Sequence, residues 1–317
     1  MGVGVMYHPY FRGKQYELIT IRENAALLAN SKFIPIVEPV KETLNGLGRA
    51  LTAVGDAGGK VVVIVNPHHG DHSDDGERIV NFLRDGLIEK VDISPAVLLK
   101  EECSIEEVVR LCGEFENETV TLIHAGFSDG AALSRALGVK VNQLRHVFLE
   151  DSCGRLYRRH FQSEDRILVN DGFERRRNRD HPPVEFFSDL HVTFREEGMS
   201  GFGDFLTVGD DYTETGGPAY AIAIHLTFID PSQEGAMFVR HFLSLRQDTP
   251  ADPAGKFAEA LDAMIEVLDE EASPILETNA VQEFRQLHAD RHYPGLGYVK
   301  KLSMQHHIET LANYFEE

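Results

Sequence analysis

With 317 residues, 42% hydrophobic and 26% charged, the chain has the make-up of a globular protein, large enough for two domains or one large α/β barrel. Its formal charge of −20 disfavours non-specific binding to nucleic acid or an anionic membrane, though it leaves room for a local basic site. Cys103, Cys112 and Cys153 form no C-x-x-C pair and are odd in number, and no run reaches about 18 apolar residues, so the expectation is a cytoplasmic protein without a disulfide framework or membrane span.

Short apolar runs alternate with amphipathic segments along the chain. "MYHPYF" (6–11) precedes "ELITIRENAALLANS", and "FIPIVEPV" (33–40) precedes "TLNGLGRALTAVGDAGG". "KVVVIVNP" (60–67), "PAVLLK" (95–100), "TVTLIHAG" (119–126), "LRHVFLED" (144–151) and "RILVND" (166–171) are each followed by a segment with helical spacing, as is expected of "PVEFFSDLHVTFREEG" after the last of them. Ser104 and Glu107 stand at capping-box spacing. Strands rich in Val, Ile and Leu that alternate with helices predict a parallel sheet buried on both faces. Eight such units over roughly 210 residues predict a (β/α)8 TIM-like barrel, with an open doubly wound sheet as the alternative. No G-x-G-x-x-G follows the first strand, which weakens the dinucleotide-binding version. The eighth strand is either "GDFLTVGDD" (203–211) or the run at 219–230.

Past 212 the pattern changes. "AYAIAIHLTFID" and "AMFVRHFLSLR" flank "PSQEGA" and predict an antiparallel hairpin, and three helical segments follow. The expected organisation is a barrel over 1–212 and a hairpin with a helical extension over 213–317, packed on the barrel as one globular unit. At the start, Met1-Gly2 suggests myristoylation, but Met6 occupies the place of the required Ser or Thr and is itself a candidate start. The N-terminus lacks the plan of a signal peptide.

"YHPYFRGKQYELITIRE", "RRRNRDHPPVEFFSDLH", "GFGDFLTVGDDYTETGGPAYAIAIHLTF" and "GLGYVKKLSMQHHIE" together resemble a family of uncharacterised bacterial proteins connected with the "beta protein" group of phages and genomic islands. The resemblance runs over nearly the whole chain and is vaguest over 60–145. It implies a barrel-like α/β fold and a link to phage defence. It brings no activity, so it assigns no catalytic residue.

In a (β/α)8 barrel the working residues stand at the carboxyl ends of the strands. Those ends supply Arg12 and Lys14, Glu38, Asn66 and His68, Lys100, His124, Glu150 and Asp151, Asn170 and Asp171, and Asp210 and Asp211. Each has a plainer role open to it: Glu38 pairing with Arg12 or Lys41, His124 as a satisfied core histidine, Lys100 as a solvated cation, Glu150 and Asp171 in ion pairs with arginines. "NPHHGDH" (66–72) carries metal-ligand residue types at a spacing that matches no metalloenzyme motif, so a solvated histidine-rich loop is its simpler reading. His225 alternates with apolar neighbours and fits one face of a sheet. Neither G-x-S-x-G nor a P-loop occurs, and Cys153, beside Glu150 and Asp151, is a poor nucleophile.

From Arg155 to Arg179 there are eight arginines against four acids, a local +4 within an acidic chain. Arginine grips phosphate or carboxylate through paired hydrogen bonds, and glycines in "GFGDF" and "ETGGP" could let backbone amides approach an anion. Pairing with the surplus acid is the alternative. The combined expectation is metal-assisted hydrolysis of a phosphorylated or nucleotide-like substrate. Glu38, Lys100, His124, Glu150 and Asp171 would form the catalytic set, with Arg12, Lys14, Arg175 and Arg177 on the anion and Glu150, Asp171 and Asp211 on a magnesium or manganese ion. The second expectation is a non-catalytic binding or sensor protein whose partner comes from the same genomic island.

Overall fold

The computed structural model describes residues 6–214, 217 and 219–316. The Met1-Gly2 site and part of "ETGGP" (Thr215, Gly216, Pro218) lie outside the described residues.

Eight parallel strands close into a barrel: β1 (Met6–Phe11), β2 (Ile36–Val37), β3 (Lys60–Ile64), β4 (Asp92–Leu99), β5 (Thr121–His124), β6 (Arg145–Leu149), β7 (Arg166–Asn170) and β9 (Gly201–Asp204), the last pairing with both β7 and β1. Closure rules out the open doubly wound sheet. Helices α1 (Gln15–Glu23) and α2 (Ala25–Asn30) follow β1; α3 (Asn45–Asp56), α4 (Glu77–Arg84), α5 (Ile105–Gly113), α6 (Gly130–Leu137) and the one-turn α7 (Arg155–Arg158) follow β2 to β6 in turn. Ser104 caps α5 by accepting the Glu107 N–H at 3.1 Å, as its spacing predicts.

Two departures from the sequence reading stand out. The segment after β7 is not a helix: Val184–Ser188 is a strand, β8, and helix α8 (Leu190–Thr193) is a single turn. Val184–Ser188 pairs along β11, where Phe186 meets its cross-strand partner Phe238 edge-on, and this pairing outweighs the helical spacing. The eighth barrel strand ends at Asp204, so Asp210 and Asp211 are not strand-end residues, and the run at 219–230 belongs to another sheet.

The chain divides into two compact units, Met1–Asn170 with Thr193–Asp204, and Asp171–Val192 with Phe205–Glu317. The boundary expected at 212 therefore falls at 204, and 171–192 joins the second unit. The first unit is the barrel. In the second, β10 (Ala223–Asp230) and β11 (Ala236–Leu243) form the expected antiparallel hairpin, and β8 pairs with β11 to give the order β10-β11-β8. Helices α9 (Pro253–Leu268), α10 (Asn279–Ala289) and α11 (Leu296–Glu316) complete the unit. Ile222, Ile224, Leu226 and Phe242 from the hairpin bury against Phe257, Met264, Phe284 and Leu302 from the helices. No helix among the described residues is long and apolar enough to cross a membrane.

Candidate functional sites

Period-2 alternation along the register sorts the barrel side chains onto two faces. His124, His146 and Phe148 share a face with Tyr7 and Phe202, and His124 meets Tyr157 and Phe161 in and after α7, so this face is turned toward the helices. The opposite, inward face carries His8, Tyr10, Ile36, Val62, Leu98 and Val169, and the residues that continue it past β1, β2 and β4 are Arg12, Glu38 and Lys100.

Glu38 is the centre of the inward group. It is fully buried and accepts from Arg12 Nη1, from Tyr10 Oη at 3.3 Å, from the backbone N–H groups of His68 and His69 at 2.9 and 3.0 Å, and pairs with His69 Nδ1 at 3.1 Å. Burial alone would raise its pKa, but the His69 hydrogen bond and the Arg12 charge outweigh that and hold it at about 2. Glu38 is therefore an ionised, saturated acceptor that aims Arg12, not a free base. Two glycines make this clamp possible. Gly13 (φ +63°) and Gly70 (φ +79°) adopt left-handed backbone, and a Cβ at either would stand 2.7 Å from the Glu38 carbonyl oxygen or 2.1 Å from that of Val40. The histidine-rich loop thus serves as a backbone grip on Glu38. His68 Nδ1 pairs with the exposed Glu102 at 3.0 Å, and Asp71 accepts the Glu42 N–H at 2.7 Å.

Lys100 shares the inward face, whereas the other expected residues do not join this group. His124 is a satisfied core histidine, not a mouth base, because register turns it outward; Nδ1 meets Tyr157 Oη at 2.8 Å and Nε2 meets His146 Nδ1 at 3.0 Å. Burial pushes His124 well below the ordinary histidine range and His146 down to about 4. Lys100 and Lys14 are half-buried after β4 and β1. Glu150 is exposed just beyond β6. Asp171, in the second unit, accepts the N–H groups of Phe173 at 3.1 Å and Asp210 at 2.7 Å, the work of a turn-building carboxylate. Asp211 is exposed and pairs with Arg175 at 2.9 Å. Glu150, Asp171 and Asp211 do not form a metal cluster among the described residues. Cys153, whose thiol burial raises to about 11, donates to the His124 carbonyl oxygen at 3.0 Å.

The arginines answer mostly to carboxylates. Arg175 pairs with Asp211, Arg176 with Glu185 at 2.8 Å, Arg179 with Asp180 at 3.8 Å, and Arg155 with Glu197, while exposed Arg177 makes no ion pair with the described residues. Charge balance accounts for three of the four arginines between 175 and 179, which removes most of the case for a phosphate grip there.

A different group converges in the second unit. His225 on β10 and His241 on β11 are register partners on one face of the sheet, and their Nδ1 atoms stand 2.7 Å apart. His181, just ahead of β8, stacks on His241 with ring centroids 4.3 Å apart. Each of the three offers a nitrogen within 4.8 Å of the other two. Glu185 on β8 faces them: its Oε1 is 3.3 Å from His181 Nδ1 and 2.9 Å from His241 Nε2, while Oε2 takes Arg176. Burial lowers all three histidines, His241 to about 4, despite the carboxylate beside it. Phe173 covers the rings. His225 fits one face of a sheet in the sequence, but the group as a whole has no local signal, because its members lie 16 to 60 positions apart and two of them meet only through strand register.

No family model matches the chain, and no curated protein matches it either. Among solved structures, a protein from Coccidioides immitis assigned to the dihydrodipicolinate synthase family is similar with a TM-score of 0.39 and 8% identity, over 63% of this chain and 66% of that one. The match thus spans just under two thirds of that protein's length. So distant a likeness informs neither fold nor chemistry, and the barrel rests on its own closed strand pairing.

Proposed function

We propose that the barrel unit binds a small anionic ligand, phosphorylated or nucleotide-like, at the carboxyl ends of its strands. The observation that carries this is Arg12: a buried, ionised Glu38 holds its guanidinium beside the inward end of β1, pre-oriented for paired hydrogen bonds to an anion. Lys100, half-buried after β4 and without an ion pair among the described residues, adds a second cation. The hydrolytic form of this reading, with magnesium or manganese assisting, needs a base and metal ligands at the same mouth. Glu38 is saturated and His124 faces the helices, so the geometry favours the non-catalytic form, a binding or sensor protein. Resemblance to the phage and genomic-island group fits that form, with a partner encoded alongside.

Calorimetric titration with inorganic phosphate, a nucleoside monophosphate and a sugar phosphate tests the reading. At least one should bind, added salt should weaken it, and Lys100→Ala should cost roughly 10-fold, the loss expected for a charge-assisted contact. Absence of binding by all three at millimolar concentration, or an unaffected Lys100→Ala, would overturn it. Release of phosphate that depends on magnesium or manganese would restore the hydrolase.

A further inference from the structure

We propose that His181, His225 and His241 form a binding site for one divalent transition-metal ion of the zinc class. The site lies wholly within the second unit and is independent of the anion-binding reading of the barrel. Three neutral imidazoles are the ligand type and number of a zinc centre that keeps a fourth position for water.

Two separate observations point to an ion. The first is convergence: two imidazoles locked on adjacent strands and one from the loop ahead of β8 bring one nitrogen each within 4.8 Å of the others. Tetrahedral zinc with bonds of about 2.0–2.1 Å holds its nitrogens about 3.3 Å apart. Binding would open the 2.7 Å contact between His225 and His241 and draw in nitrogens now spread over as much as 4.8 Å. The second is a poorly met need. His241 has a side chain with no solvent exposure, and its Nε2 meets Glu185 Oε1 at 2.9 Å off the line of a well-formed hydrogen bond. A buried ring nitrogen whose partner is poorly aligned leaves room for a better arrangement. A cation among the three rings would supply it, either by ligating Nε2 or by turning the ring so that Nε2–H donates to Glu185.

The surroundings suit a cation-binding site. Glu185 places a carboxylate against two of the three rings, the usual companion of metal-bound histidine, and Arg176 fixes that carboxylate from its other oxygen. Phe173 lies against all three imidazoles and limits water on that side. The closed pair His124–His146 in the barrel has no such carboxylate and no such poorly aligned nitrogen, so histidine content alone does not produce the arrangement.

The test is titration of the chelator-stripped full chain with zinc chloride, and with cobalt chloride for its visible spectrum. One ion per chain is expected, with the intense visible bands of four-coordinate cobalt. His225→Gln and His241→Gln should weaken binding at least 100-fold, and Glu185→Gln, which leaves the ligands in place, about 10- to 100-fold. His181→Ala, outside the strands, covers the case in which a strand variant fails to fold, and should match the other ligand losses. His160→Ala with His292→Ala, both exposed, should bind as the wild type does. Failure of the wild type to bind, unchanged binding in folded His181→Ala, or loss of binding in the His160/His292 variant instead would each overturn the proposal.

Discussion

Two buried histidine clusters, one in each unit, look alike in composition and differ in bonding. In the barrel, the Val141 carbonyl can only accept, so His146 Nε2 donates to it at 2.8 Å. Being neutral, His146 must then accept at Nδ1 from His124 Nε2, and His124 Nδ1 accepts from the Tyr157 hydroxyl. One direction of donation satisfies every nitrogen, and Phe148 and Phe161 stack on the rings. In the sheet unit the nitrogens of His181, His225 and His241 point at one another and at Glu185, and His241 Nε2 meets that carboxylate poorly aligned for a hydrogen bond. The first arrangement consumes its lone pairs; the second collects them. Residue type gives a list of possible ligands, whereas the direction of each hydrogen bond decides which of them have a lone pair to offer.

The largest expected effect probes the closed chemistry of the barrel. Arg12→Ala strands the buried Glu38 carboxylate and should cost about 3–5 kcal/mol in urea unfolding, the usual result of removing one partner of a buried pair. Glu38→Gln together with Arg12→Met, which removes both charges, should cost clearly less. Equal losses in the two would mean that packing, not charge, holds this end of the barrel.

Acid should open the closed cluster next. His146 falls from 6.5 to about 4, and burial also holds His124 well below the ordinary histidine range, so the unfolded chain binds more protons across that window. Stability is then full above about pH 6.5 and is lost as the pH drops toward 4, on the order of 3 kcal/mol for a shift of this size. Glu38, also held low, adds a further loss from about pH 4.5 down to about 2. A stability profile flat between pH 7 and pH 4.5 would mean that these imidazoles are not buried neutral.

Zinc should sharpen the contrast at smaller scale. At 100 times its dissociation constant, a ligand that binds only the folded chain raises stability by about 2.7 kcal/mol. The gain should appear in wild type and in Tyr157→Phe but vanish in His241→Gln. Tyr157→Phe by itself should cost about 1–2 kcal/mol without zinc, since it leaves His124 Nδ1 without its donor. The smallest effect belongs to the exposed arginines: Arg175→Ala should change stability by no more than about 1 kcal/mol, as befits a surface pair with Asp211.

Much of the barrel was legible in the sequence because buried parallel strands announce themselves as apolar runs, and "KVVVIVNP" and "TVTLIHAG" became β3 and β5. The switch at 184–188 was not, since "PVEFF" reads as either period until a partner strand is supplied. Glu38 with Arg12 was visible as a pair because both follow strands that neighbour each other. His124 misled because its place at a strand end says nothing about which face it takes; one residue of register turns a side chain from mouth to helix layer. His181 and His241 carry no local signal at all.

The most direct test of the contrast is one spectrum that sees both clusters. With 15N-labelled histidine, the imidazole nitrogens of all 15 histidines can be followed while zinc is added to one equivalent. One nitrogen each of His181, His225 and His241 should move to a metal-bound position, while His124 and His146 keep their neutral, hydrogen-bonded shifts. Unchanged signals from the three sheet-unit histidines, or movement of His124 and His146 in their place, would contradict it.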